Sequence, residues 1–366
     1  MKKLDWYIIK KFIFTTFFIL LMMSLIACII DASEKTDDFV KAGVSTYQII
    51  TEYYAGFVPF IISMIFPLMV FIGVIFFTSQ MASRSEIVAI IASGVHFNRF
   101  LRPYLVGAII LGGGFWLATQ YLIPKANVLR GNFQATYIDS RNSYEIGQYY
   151  AKGNNYYVRL DSNTYAGLRS YDTSSKTANN GFFMEKLKGN QVIYNMRADY
   201  IKWDTAKRGW RAENVMVRTI DGLHETVEQK PTMYIKFDVR PSEIRPDKYL
   251  KDKMTTPELM KFIKAEEARG SEGLNEYKVE RYRRDATPVS VLILTMIGVA
   301  VSSRKTRGGS GLNLAIGIVT ASIFVIMDKF SLTFSTKGDF PPMLAAWMPN
   351  LVFAVVAFVM YRLAPK

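Results

Sequence analysis

Two clusters of long apolar runs, separated by a polar middle stretch, constrain this 366-residue chain more than any other feature. A bilayer core takes roughly 20 apolar residues per helical span. Three runs of that kind precede the polar stretch, at Phe12–Ile30, Phe57–Thr78 and Leu101–Ile123, and three follow it, at Pro288–Ser303, Leu312–Phe334 and Met343–Leu363. The fourth is the shortest. Pro59 and Pro67 inside the second predict a kinked helix, because neighbouring helices can satisfy the carbonyls that a proline frees. Gly112-Gly113-Gly114 in the third would permit close helix packing.

The short flanks set an expected orientation. Lys2, Lys3, Lys10 and Lys11, then Arg84, Arg99 and Arg102, then Arg304, Lys305 and Arg307, and finally Arg362 and Lys366 fall on one side of six alternating spans. The short loops of the other side hold Lys35, Lys41 and Lys337. The excess of cations on inner loops places both termini in the cytoplasm and the polar middle outside. The formal charge of +14 would suggest nucleic acid on a soluble domain, but cations at span ends belong to a membrane, and no nucleic-acid partner is expected. Leu25-Ile26-Ala27-Cys28 resembles a lipoprotein cleavage box, yet the run continues through Ile29 and Ile30 and is longer than a signal core of roughly 7–15 residues.

The expected organisation is therefore an α-helical membrane protein of six spans in a 3+3 arrangement, with an inserted domain. Residues 1–123 carry spans one to three, 124–286 the outside domain with its connecting helices, and 287–366 spans four to six. In the middle stretch, Gln191–Trp203 and Trp210–Arg218 alternate with period two around a polar turn that ends in Gly209, a hairpin pattern. Further strand-like runs at Tyr149–Leu160, Phe182–Leu187 and Thr232–Val239 complete an antiparallel, jellyroll-like series. Thr255-Thr256-Pro257-Glu258 reads as a capped helix start, with Gly270 and Gly273 as breakers. A polar helix from about Leu274 to Asp285 feeds the fourth span.

Chemistry within the chain is scarce. Gly308-Gly309-Ser310-Gly311 lacks the lysine of a phosphate-binding loop, so this chain carries no nucleotide site of that kind. There is neither an H-E-x-x-H nor a G-x-S-x-G motif. One cysteine and two histidines cannot build a zinc centre or an internal disulfide. Asp328-Lys329 is the charged pair inside an apolar run, placed near its outer end. Between spans two and three, Ser83 and Glu86 have capping-box spacing, Ile87, Val88, Ile90 and Ile91 form an apolar stripe, and Gly94 closes it. A short amphipathic helix over about residues 83–94 would rest on lipid or fit a groove on a soluble partner.

At this loop the sequence resembles the lipopolysaccharide-transport permease family LptF/LptG, also called YjgP/YjgQ. Ser85-Glu86-Ile87-Val88 with Ala92-Ser93-Gly94 is similar to its coupling-helix signature. Leu4-Asp5-x-Tyr7-Ile8-x-Lys10, Phe14-Thr15-Thr16 and Lys41-Ala42-Gly43 resemble its LptG branch. The resemblance implies a permease subunit of an ABC transporter, without an ATPase site of its own, that extracts lipopolysaccharide and passes it to a periplasmic β-jellyroll bridge. It implies residence in the inner membrane of a Gram-negative bacterium, with the large domain in the periplasm. The implied partners are an LptB-like ATPase dimer, which would bind the ATP and magnesium, a paralogous LptF-like permease, and an LptC-like membrane-anchored jellyroll protein. Ser83, Arg84, Glu86, Ile87, Ile90 and Gly94 would then engage the ATPase, with Glu86 seated in its groove. Lys41 matches a basic position that meets substrate phosphates, and Lys35 and Arg130 are further candidates, although Asp31 stands where the family carries a cation. Two other readings remain open: a membrane-anchored scaffold whose outside sheet binds envelope proteins without transport, and a secondary transporter coupled through Asp328.

Overall fold

The computed structural model describes residues 3–139, 156–161, 163–169, 171–172, 176–189, 191–205, 207, 209–235, 249–269, 273–303 and 309–363. Lys2, Arg304, Lys305, Arg307 and Lys366 lie outside these residues, as do Gly270, Gly308, the start of the expected strand Tyr149–Leu160 and the end of Thr232–Val239. The chain divides into two compact units. The first comprises Met1–Tyr137, Lys251–Met260 and Asn275–Lys366; the second comprises Ile138–Leu250 and Lys261–Leu274.

Among the described residues, six helices are long and apolar enough to cross a membrane. The first is α1 (Lys3–Ala42). The second joins α2 (Thr46–Gln48), a wide π-type segment at Ile49–Tyr54, and α3 (Ala55–Ser83). The third joins α5 (Phe97–Leu117), a second π-type segment and α6 (Ile123–Phe133). Later in the chain come α7 (Leu250–Lys253), α8 (Thr256–Arg269), and the last three spans α9 (Asn275–Ser302), α10 (Gly309–Lys337) and α11 (Pro342–Leu363). The polar helix expected before span four and the span itself form one helix, α9, which runs through Pro288. α9 packs against α3, α5, α10 and α11 and is the hub of the unit. One apolar core gathers Phe12, Val70, Tyr104 and Val291, and a second gathers Phe71, Leu294, Phe324 and Phe353. Of the three consecutive glycines in α5, Gly112 alone faces a neighbour: a Cβ there would stand 3.1 Å from the Pro288 carbonyl oxygen, whereas Gly113 and Gly114 face open space. Phe14, Phe17 and Ile29 on α1 and Phe330 and Phe334 on α10 are exposed, as an apolar solvent permits.

α4 (Glu86–Ala92) is the short helix expected between spans two and three, but its start differs. α3 continues to Ser83, whose hydroxyl donates to the Gln80 carbonyl at 2.9 Å. The Ser83–Glu86 capping box therefore does not form. The cap residue is Ser85, at φ 62°, and it makes no side-chain cap bond. The apolar contacts of Met81 and Ala82, both buried, carry α3 about one turn beyond Thr78, so that Ser83 ends the longer helix instead of capping the short one. The capped start at Thr255 is present, with its amide donating to Glu258 at 2.8 Å. Gly94 closes α4 at φ 88°.

The second unit contains a seven-stranded antiparallel sheet: β1 (Tyr156–Asp161), β2 (Thr164–Leu168), β3 (Tyr171–Asp172), β4 (Thr177–Lys188), β5 (Gln191–Asp204), β6 (Gly209–Asp221) and β7 (His224–Ile235). The main path runs β1-β2-β4-β5-β6-β7, and β3 pairs β4. The hairpin read from the sequence is β5–β6, with Trp203 opposite Trp210 and Asp204 opposite Gly209. β5 and β6 show the period-two burial of a one-sided sheet, with an interruption. Met196 and Ala198 are buried, then Ile201; opposite them Val217 and Val215 are buried, then Ala212. Side-chain alternation resets at the same level in both strands without a change of register. At that level Asn214 takes φ 57°, β4 shifts register between Asn179 and Phe182 around Gly181 at φ 130°, and β7 carries Pro231, between the paired Lys230 and Thr232. This transverse crease crosses four strands. A proline there costs no interior ladder bond, because β7 ends the strand path.

Candidate functional site

The candidate residues fall into two groups, at opposite ends of the spans. At the α4 end, Ile87 is 1% exposed and shares a core with Ile8 of α1, Met81 of α3, and Phe97 and Phe100 of α5. Ile90 is half-buried, Glu86 likewise, and Ser83, Arg84, Val88 and Gly94 are exposed. The period of α4 thus points one residue row inward and leaves another open. Asp5 and Arg99 form a bidentate pair here, at 2.7 and 2.8 Å, tying α1 to α5 directly after α4. Tyr361 of α11 hydrogen-bonds Asn98 of α5, and its ring lies 6.4 Å from that of Phe97. The short helix is therefore seated where α1, α3, α5 and α11 are joined.

At the other end, the i,i+4 spacing of Asp31 and Lys35 on α1 produces an ion pair at 2.8 Å. Tyr53, carried inward by the π-type segment, donates from its hydroxyl to the same Asp31 carboxylate at 3.0 Å. Lys35 also bonds that hydroxyl and stands 4.7 Å from the ring centre. Phe39, Phe57 and Phe133 pack around Tyr53 at 5.3–5.7 Å. The Arg130 guanidinium lies 3.6 Å from the centre of Phe60, one turn beyond Phe57 on α3. The structure thus brings Lys35 and Arg130 onto the same stretch of α3. Lys35 is committed to Asp31, and Arg130 is 6% exposed. Lys41 stands apart, exposed in the last turn of α1. Tyr53 was not singled out in the sequence.

Asp328 is also held, 3.2 Å from Arg283. Arg284, 5% exposed, clamps the Lys251–Met260 segment of the first unit by donating to the carbonyls of Lys251 and Met254 and to the Thr256 hydroxyl at 2.9–3.1 Å. Burial, with Glu280 nearby, pushes the Asp252 carboxyl up to about 6 from 3.8, while Lys251, Arg130 and Arg284 oppose the rise. An acid raised on folding binds its proton more tightly in the folded state, so its penalty is absent below the unfolded value, grows as pH rises from about 4 to about 6, and stays constant above. Asp252→Asn is expected to raise stability by about 1–2 kcal/mol at pH 7.5 and by nothing below pH 4; thermal unfolding at the two pH values checks this.

The sequence model of the family described as lipopolysaccharide export system permease LptF/LptG matches residues 6–363. The chain is 22% identical over 363 residues to the lipopolysaccharide export system permease protein LptG of Escherichia coli strain K12, with 97% of this chain and 96% of that protein covered. The same identity and coverage hold for the protein of that name from Escherichia coli O6:H1 strain CFT073.

Proposed function

Because this chain belongs to the lipopolysaccharide export permease family LptF/LptG, we propose that it is the LptG-like subunit of an ABC transporter that extracts lipopolysaccharide from the inner membrane and hands it to a periplasmic β-jellyroll bridge. The match over nearly the whole length of the chain carries this reading. As a permease subunit, the chain would draw its energy from a separate ATPase dimer, which would hold the ATP and magnesium. The α4 end would face the cytoplasm, as the cation bias of the flanks requires. There Glu86, Val88 and Ile90 would meet the ATPase groove, and Ile87 would pass the displacement into the helices around it, a rigid-body route through a packed core. A paralogous six-span permease and an LptC-like anchored jellyroll protein would complete the assembly.

At the other end, Lys41 would be the open phosphate contact. Lys35 and Arg130 would act with it once substrate displaces Asp31 from Lys35, the phosphate offering charge-assisted bonds to all three cations where Asp31 holds one of them. The experiment is affinity purification of the tagged chain from its native membrane after gentle cross-linking, with mass-spectrometric identification of stoichiometric partners. An ATPase dimer with a second six-span protein is expected, and Glu86→Ala is expected to lower ATPase recovery at least ten-fold while α-helical content is unchanged. Recovery of envelope proteins without an ATPase would overturn the transport reading in favour of a scaffold.

A further inference from the structure

A cavity of about 140 Å³ lies among α3, α9, α10 and α11, and none of its lining residues comes from α1 or α6, which carry Lys35, Lys41 and Arg130. Arg283, Asp328 and Lys329 line it together with Met64, Leu68 and Phe324. Its depth follows from the sequence around it. Arg283 lies five residues before the apolar run of α9 begins at Pro288, and Asp328 and Lys329 lie within that of α10 near its outer end, so the charged part sits close to where headgroups give way to acyl chains.

The chemistry of the lining is specific. Asp328 contacts one guanidinium nitrogen of Arg283, which leaves further donors of a five-donor group. Lys329 is exposed. Thr287 and Ser290 spend their hydroxyl protons on the carbonyls of Arg283 and Thr287, so their oxygens face the cavity chiefly as acceptors. Asn350 donates one amide proton to the Ala286 carbonyl at 2.7 Å and keeps a second. Two cations against one carboxylate leave a single net positive charge, which matches one phosphodiester. The volume is close to that of a cavity of roughly 150 Å³ that admits one small ring compound, enough for one headgroup or a short acyl segment and far short of a multi-chain glycolipid.

We infer that this cavity binds the phosphodiester headgroup of an anionic glycerophospholipid, kept as a resident lipid with its acyl chain along Met64, Leu68 and Phe324, apart from any cargo. Arg283 and Lys329 would bind the phosphate oxygens, and Asp328 would hold Arg283 in place. The inference stands independently of the transport reading, because it uses no residue of the proposed cargo or ATPase sites.

Native mass spectrometry of the purified full chain, titrated separately with dioleoyl phosphatidylglycerol, dioleoyl phosphatidylcholine, lipopolysaccharide and inorganic phosphate, tests it. One phosphatidylglycerol is expected to survive detergent removal per chain, at least ten-fold above phosphatidylcholine. Lys329→Gln is expected to lower that occupancy at least five-fold, Lys329→Arg to retain it, and Lys337→Gln, a cation elsewhere on α10, to leave it unchanged. Lys329 is exposed, so its variants test binding rather than folding. Equal retention of the two phospholipids, undiminished retention in Lys329→Gln, displacement by inorganic phosphate alone, or selective retention of lipopolysaccharide would each overturn the proposal.

Discussion

Gly56→Val lowers the midpoint of thermal unfolding in detergent by about 10 °C, as expected for several kcal/mol of overpacking in a helical core. A Cβ at Gly56 would stand 2.5 Å from the Ala126 carbonyl oxygen and 2.7 Å from the Arg130 amide nitrogen. Both are backbone atoms of α6, so no side-chain rotation relieves the clash and the helices must part. Parting them moves Arg130 from Phe60 and Phe133 from Tyr53, the contacts that assemble the polar cluster at that end. Gly113→Ala is the control: it meets nothing within 4 Å, so its midpoint should hold or rise. A Gly56→Val protein that melts with the parent would mean that α3 and α6 are not this close.

Arg99→Leu is expected to cost at least twice as much stability as Asp5→Asn, because losing the partner of an ion pair is dearest for the more buried charge. The Asp5 side chain is 7% exposed and that of Arg99 35%. Removing the arginine takes both bonds of the bidentate pair from a carboxylate that is almost wholly buried; removing the carboxylate leaves a guanidinium that water still reaches. The double variant Asp5→Asn with Arg99→Leu should recover most of the Arg99→Leu loss. Equal costs for the two single variants, measured by thermal unfolding at fixed detergent, would show that the pair is held at the surface.

The spans were legible because nothing else needs twenty consecutive apolar residues, and that signal survives any error at the ends. The ends were not legible. Ser83 and Glu86 have the spacing of a capping box, but a cap weighs about 1 kcal/mol and lost to the packing of Met81 and Ala82. The inner hairpin was legible from its alternation, whereas the first half of β7, His224 to Lys230, was not. It is exposed throughout, so it has no buried face to impose a period and is defined by pairing with β6 and the two-residue turn at Gly222-Leu223. The polar cluster was half legible: Lys35 and Arg130 could be picked out as cations near span ends, but their placement depends on Tyr53, whose inward direction comes from a π-type segment that no residue pattern announces.

The crease through β4, β5, β6 and β7 has a consequence for how chains of this kind can change over time. Losing Asp199 from β5, at the level of Asn214, would throw one part of the strand, either Gln191 to Ala198 or Tyr200 to Asp204, onto the wrong face, and only matched losses in its neighbours would restore it. Strand length on either side of Asn214 is therefore a shared quantity, inherited by several segments at once. The two-residue turn at 222–223 lies beyond the crease and carries no such bond, and it is there that a sheet of this kind is free to grow or shrink.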